Sequence, residues 1–424
     1  MVCVSWNVWA RITRKSCVNP AFFLGPRETC VYHRRNKNTL RRFKQCCKIA
    51  YVRRFSAHVY AVLPSFSGVD CVSLSIGIVG LPNVGKSTLF TALTKQTGLA
   101  ANYPFATIDP NVGIVQVPDA RLNQLAQIVH PAQIVPATVE FVDIAGLVRG
   151  ANNGEGLGNQ FLANIRQCDA ICEVVRYFSD PDVIHVDGKV DPESDVDTIQ
   201  TELVLADLGT LERAIPKLEK EAKRDKDQKS RLDIAVRLQA WLNDGKRAAD
   251  MDMTPDEKAD AHDLFLLTMK PLLYVANCDE DQLQDKPVIH GMPALPICAQ
   301  VEAELSELDD AEAAEYLQSL GLQHSGLEIL AQAAYRLLGL QSFFTAGPKE
   351  VRAWTVKIGA KAPQAAGVIH SDFERGFIKA ETISFDDYIE LGGESGARDA
   401  GKLRMEGKDY VVQDGDVMVF RFNV

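Results

Sequence analysis

Residues 76–93 constrain this chain more than any other stretch. Ile76–Val79 is a short apolar run ending at Gly80. Gly80-Leu81-Pro82-Asn83-Val84-Gly85-Lys86-Ser87 has the spacing G-x-x-x-x-G-K-S, and Leu89, Phe90 and Leu93 follow at helical spacing. Strand, glycine loop and helix in that order form a phosphate cradle. Glycines let backbone N–H groups converge on phosphate oxygens, and the helix points its positive end at them. Lys86 is expected to reach the β- and γ-phosphates, and Ser87 to offer its hydroxyl to Mg²⁺. Asn83 has two open readings: its side-chain oxygen helps hold a monovalent cation such as K⁺ near the α-phosphate, or the residue only stabilises the loop.

Further apolar runs at 138–146, 170–178, 271–277 and 295–298 alternate with helical stretches. That alternation predicts an α/β fold, a doubly wound and mostly parallel sheet with ligand loops at the strand C-termini. The stretch between 178 and 271 is too long for one crossover. Within it Val204, Leu208, Leu211, Ile215 and Leu218 mark a coiled-coil seam, and Ala235, Leu238 and Leu242 resume an apolar stripe. The expectation is an antiparallel helical hairpin inserted at about 196–248, with Pro216 kinking or interrupting its first arm. Thr254-Pro255-Asp256-Glu257 reads as a capping box. From about residue 340 the pattern becomes mixed α and β, and 408–424 reads as a hairpin around Asp414-Gly415-Asp416.

Two later segments follow in the order a switch nucleoside triphosphatase requires. Thr107, in 105–113, offers a second hydroxyl for Mg²⁺. Asp143-Ile144-Ala145-Gly146 is a D-x-x-G, with Asp143 for the Mg²⁺ shell and the Gly146 N–H for the γ-phosphate. Two features depart from the common GTPase pattern. The residue after D-x-x-G is Leu147, where the common small GTPases carry a Gln that orients the attacking water. Polar substitutes are His185, Glu155, Asn159 and Gln160; by its residues alone His185 reads first as an ordinary strand-edge histidine. The guanine-reading N-K-x-D is replaced by Asn277-Cys278-Asp279-Glu280. Cys278 stands for the Lys, and Glu280 is one methylene longer than the Asp. Both changes loosen guanine selection and permit adenine. Cys298-Ala299 stands where a backbone contact to the base is expected.

The chain has 424 residues, 46% hydrophobic and 24% charged, with a formal charge of −10. Residues 1–72 differ from the rest: they are strongly basic, with only Glu28 and Asp70 acidic, and they hold six of the ten cysteines. A spurious or dispensable extension, an Arg-rich targeting peptide and a basic arm all remain open readings. Cys168, Cys172, Cys278 and Cys298 lack zinc-ligand spacing and read as buried reduced thiols. No apolar run is long enough for a membrane span.

These motifs resemble the YchF family, the Obg-like ATPases among the translation-factor-related P-loop NTPases. The resemblance covers residues 75–424 and rests on the phosphate loop, "FVDIAGLV", "GEGLGNQFL", N-x-x-E for N-K-x-D, and the segment from "KEVRAWT" to "EGKDYVVQDGDV". It implies a nucleotide domain at 74–317 and a C-terminal TGS domain of β-grasp, ubiquitin-like shape at 339–422. It implies ATP, with or without GTP, as substrate, its phosphates held by Asn83, Val84, Gly85, Lys86, Ser87 and Thr88. Ser87 and Thr107 would bind Mg²⁺. The Asn277 side chain and Cys278 backbone would face adenine. A histidine in a "VIHV"-like segment, here His185, would position the water that Leu147 cannot. The implied partner is the ribosome or its large subunit, and the implied setting is a cytoplasmic monomer. The rival expectation is a ribosome- or RNA-binding module whose nucleotide is a structural ligand.

Overall fold

The β-branched runs become the inner strands of a seven-stranded sheet. The computed structural model describes residues 74–99, 111–144, 159–180, 189–225 and 228–423. The strands are β1 (Ser75–Val79), β2 (Val112–Gln116), β4 (Thr138–Asp143), β5 (Ala170–Arg176), β6 (Leu272–Asn277), β7 (Val288–Ile289) and β8 (Met292–Ile297), in the order β2-β4-β1-β5-β6-β8-β7. The five central strands run parallel, and β2 and β7 are antiparallel edges. Every residue of β5 is buried, as a parallel strand covered on both faces requires. Helices α1 (Lys86–Leu99), α2 (Ala120–Val129) and α3 (Asn159–Gln167) belong to this half of the chain. Parallel order puts the C-terminal ends of β1, β4, β5, β6 and β8 on one edge, where the phosphate loop begins.

The inserted hairpin is α4 (Pro192–Ala222) and α5 (Lys229–Asn243). Near its start α4 buries Val196, Ile199 and Leu203 in the main core. Beyond that, Val204, Leu211 and Leu218 meet Ile234, Ala235, Leu238 and Leu242 in a second core. Asp207 is fully buried and anchors the arm, accepting from the amides of Leu267 (2.7 Å) and Thr268 (2.8 Å) and from the Thr268 hydroxyl (2.7 Å). Of the kink or interruption expected at Pro216, the interruption does not occur: α4 is continuous through it. Pro216 lies on an exposed face, so water can satisfy the carbonyl that loses its donor, while the seam holds the helix. The capping box that starts α6 (Pro255–His262) is present, with Thr254 and Glu257 exchanging bonds. Helices α7 (Ala299–Leu305), α8 (Asp310–Ser319) and α9 (Gly326–Leu337) lead out of the sheet.

A second sheet follows, from β9 (Leu340–Ala346), β10 (Glu350–Lys357), β11 (Phe377–Ile383), β12 (Arg404–Glu406) and β13 (Val417–Phe422), with α10 (Ala362–Ile369) crossing between strands. Two findings depart from expectation. The C-terminal hairpin does not form: Val411 makes only an isolated bridge to Lys361, and β13 pairs with β11 and β9. Asp416 accounts for this. Its carboxylate accepts from Tyr410 Oη (2.7 Å) and the Gln413 amide (2.9 Å), closing a turn where a ladder would run. The sheet also takes in a strand from far upstream, β3 (Gln133–Val135), parallel to β10. Arg121 of α2 reinforces this junction by binding Asp119 and Asp414 (2.8 Å each) and lying 4.9 Å from the centre of the Phe344 ring.

Glu173, on β5, is a buried carboxyl group within the parallel sheet. Its side chain has no exposure; one oxygen accepts from Gln200 Nε2 (3.1 Å) and the other has no partner. Burial drives its carboxyl up to about 8, opposed by the Gln200 bond and the Arg247 charge and aided by Asp195. The folded state therefore keeps a proton that the unfolded chain releases near 4.5. Stability should fall as pH rises from about 5 to about 8, by at most about 1.4 kcal/mol per pH unit, and level off above that. Urea unfolding of Glu173→Gln should show a flatter profile over this range. The same slope in the variant would show that Glu173 titrates normally.

Candidate nucleotide site

The loop between β1 and α1 is shaped by backbone that only glycine accepts. Gly85 has φ +90°, and a Cβ there would lie 2.0 Å from Asn277 Nδ2. Gly80 has φ +155°, and a Cβ there would lie 2.4 Å from the Val174 carbonyl oxygen. Asn83 occupies the left-handed region at φ +61°, which Asn tolerates better than most residues, and is exposed. This conformation suits both readings of Asn83. Val84 is buried under the loop, while Ser87 and Thr88 are exposed at the start of α1.

Lys86 folds back over the loop, its Nζ donating to the Leu81 carbonyl at 2.5 Å. Burial lowers its pKa to about 8, and the Asp143 charge works against that drop. Asp143 is at the end of β4, beside Ile78 of β1. Its carboxyl is pushed up by burial and pulled down by Lys86. The strand register thus brings the loop lysine and the D-x-x-G aspartate close enough for each charge to act on the other. Thr107, Gly146, Leu147, Glu155 and His185 lie outside the described residues, as do the side chains of Asn159 and Gln160.

At the base side, Asn277 is held by backbone at both ends of its amide. It is 6% exposed, with Nδ2 donating to the Val84 carbonyl (2.9 Å) and Oδ1 accepting from the Ala299 amide (3.0 Å). The side chain is a strut joining the phosphate loop to the loop after β8. The Cys278 amide donates to the Ile297 carbonyl (3.0 Å), and its thiol is pushed up to about 12 by burial. Cys298 is buried and likewise raised by burial, and all four described cysteines are unbridged. Asp279, which carried no role in the sequence reading, fixes the segment: Oδ2 accepts from the Ser179 amide (3.0 Å), and its own amide donates to Gln282 (3.1 Å). Glu280 is exposed on a cleft of about 640 Å³, whose walls include Asp279, Cys298, Gln300 and Glu304. Asp279 precedes a short turn at 280–282 and so reads in sequence as an ordinary cap; Gln300 belongs to no motif.

Ser87 and Asp143 supply hard oxygen donors near Lys86, a donor set that suits Mg²⁺. No cluster of three or more His, Cys, Asp or Glu ligands occurs among the described residues. No helix among them is long and apolar enough to cross a membrane.

Fold and loop together define a P-loop nucleotide-binding protein. A family model described as a 50S ribosome-binding GTPase matches residues 75–207. The YchF GTPase C-terminal model, described as a protein of unknown function, matches residues 340–423. The chain is 55% identical over 358 residues to the ribosome-binding ATPase YchF of Haemophilus ducreyi, covering 82% of this chain and 99% of that protein. It is 52% identical over 366 residues to the Bacillus subtilis protein of the same name, covering 83% and 100%. The solved structure of the Schizosaccharomyces pombe YchF GTPase superposes with a TM-score of 0.76 at 38% identity, covering 82% of this chain and 98% of that one. The chain belongs to the YchF family.

The low pKa of Lys86 makes nucleotide binding sensitive to alkali. A triphosphate favours the charged ammonium, so above about pH 8 binding must take up a proton. Affinity for ATP should be flat from pH 6.5 to 7.5 and fall about tenfold per unit beyond about pH 8. Lys86→Arg should bind with a flat profile to pH 9.5. Isothermal titration of both proteins checks this; parallel profiles would contradict it.

Proposed function

We propose that this protein is a slow, Mg²⁺-dependent ATPase, with GTP a second substrate, whose nucleotide state governs contact with the ribosome. The observation that carries the reading is the electrostatic interaction of Lys86 with Asp143 beside a glycine loop of phosphate-cradle geometry. The names of the bacterial relatives support the substrate and partner, and the fission-yeast protein's name supports GTP alongside ATP. Ribosome association places the work in the cytoplasm. We assign 74–317 to the nucleotide domain, with the arm at about 196–248 as an insertion, and 339–422 to the TGS domain.

The backbone of Asn83–Thr88 and the Lys86 ammonium bind the phosphates, Lys86 exchanging the Leu81 carbonyl for phosphate oxygen. Ser87, Thr107 and Asp143 hold Mg²⁺, which when bound offsets the charge of the β- and γ-phosphates. The Gly146 N–H orients the γ-phosphate. The Cys278 backbone and Glu280 bound the base. His185 orients the attacking water, since Leu147 offers it no hydrogen bond.

Single-turnover hydrolysis of ATP tests this reading. The rate should require Mg²⁺, rise on adding ribosomes, and drop about tenfold or more in His185→Ala with ATP affinity retained. An unchanged rate in the variant would remove His185 from the mechanism. A parent protein that binds ATP yet never exceeds background with ribosomes would leave the second reading, a ribosome-binding module gated by nucleotide, which Leu147 favours.

A further inference from the structure

The cleft beside Glu280 carries an arrangement that the general ATPase reading does not require. Gln300 is the second residue of α7, directly after Ala299, whose amide is engaged by Asn277. Its Nε2 donates to Glu304 Oε1 at 3.2 Å, one turn further along the helix. The other oxygen of Glu304 accepts from Tyr316 Oη of α8 at 2.9 Å. A carboxylate only accepts, so Glu304 fixes which way round the Gln300 amide lies. One N–H of the NH₂ end is tied to Glu304, which leaves the carbonyl oxygen at the opposite side of the amide as an available acceptor. Gln300 is exposed and lines the cleft.

Of the backbone donors nearby, the Ala299 amide is bonded to Asn277. A purine base reaching this loop meets an acceptor oxygen where a 6-keto group would need a donor. The exocyclic 6-amino group of adenine supplies the matching hydrogen. We propose that Gln300, oriented by Glu304 and Tyr316, is a specificity-determining residue that favours a 6-aminopurine over a 6-oxopurine nucleotide. This rests on the phosphate-loop reading and adds to it a named contact for the base.

The test compares ATP and GTP affinities by isothermal titration in the full chain with Mg²⁺. The ATP/GTP affinity ratio should fall about three- to tenfold in Gln300→Ala, the worth of one hydrogen bond. It should fall in Glu304→Ala as well, because the amide is then free to turn its NH₂ outward. Gln300→Lys, which offers only donors, should lower the ratio further, chiefly by raising GTP affinity. A ratio unmoved by all three substitutions while both nucleotides still bind overturns the role of Gln300 and leaves the phosphate-loop reading intact. Equal loss of ATP and GTP affinity also overturns it, since that marks damage to the loop and not to discrimination. A parent protein that binds neither nucleotide overturns both readings.

Discussion

The Asn277 amide is the contact on which the candidate site depends. One planar group donates to the Val84 carbonyl and accepts from the Ala299 amide, tying the phosphate loop to the ends of β6 and β8. Only a side chain with a donor and an acceptor in that geometry serves both backbones. Asp would place a second acceptor against the Val84 carbonyl, and Ala would leave two buried backbone groups without partners, costing about 1–3 kcal/mol each. Gly85 is the other half of the arrangement, because any Cβ would occupy the space of the Asn277 nitrogen. An asparagine expected to face adenine thus also braces the phosphate cradle.

The same strands connect this site to the rest of the molecule. β4 ends in Asp143, while β3, separated from its start by only two residues, is part of the C-terminal sheet. Arg121 pins α2 to the Asp414 turn of that sheet. β5 backs the phosphate loop through the Val174 carbonyl and meets the root of the arm through Glu173 and Gln200. The short link between β3 and β4, the Glu173–Gln200 bond and the Arg121–Asp414 ion pair join the sheet, the arm and the C-terminal sheet.

The strand–loop–helix unit, the parallel strands and the helical arm were legible because each rests on local periodicity or on glycine spacing. Val204 through Leu218 announced their seam, and Thr254–Glu257 its cap. Pro216 does not end its helix because packing along the two arms overrules the local preference for a break. The C-terminal hairpin misled because Asp416 hydrogen bonds, invisible in an alternating pattern, close a turn instead. The placement of β3 in the second sheet was hidden, since three residues of β-propensity carry no address. The glycine spacing of the phosphate loop was readable, while Asn83 keeps two readings. The backbone bonds of Asn277 were not, because a motif records which residue is present and not which backbone groups its amide meets. Gln300 was silent for a related reason: its orientation is set by Glu304 and by Tyr316, sixteen positions along the chain.

The central claim is that the Asn277 amide holds the phosphate loop in its nucleotide-ready shape. Amide hydrogen exchange across residues 80–88, with ATP affinity measured in parallel, tests it on Asn277→Asp and on the parent protein. The variant should exchange its loop amides about tenfold or more faster and bind ATP at least about tenfold more weakly, while β1 and β5 keep their protection. Loop exchange and ATP affinity equal to those of the parent would contradict the account.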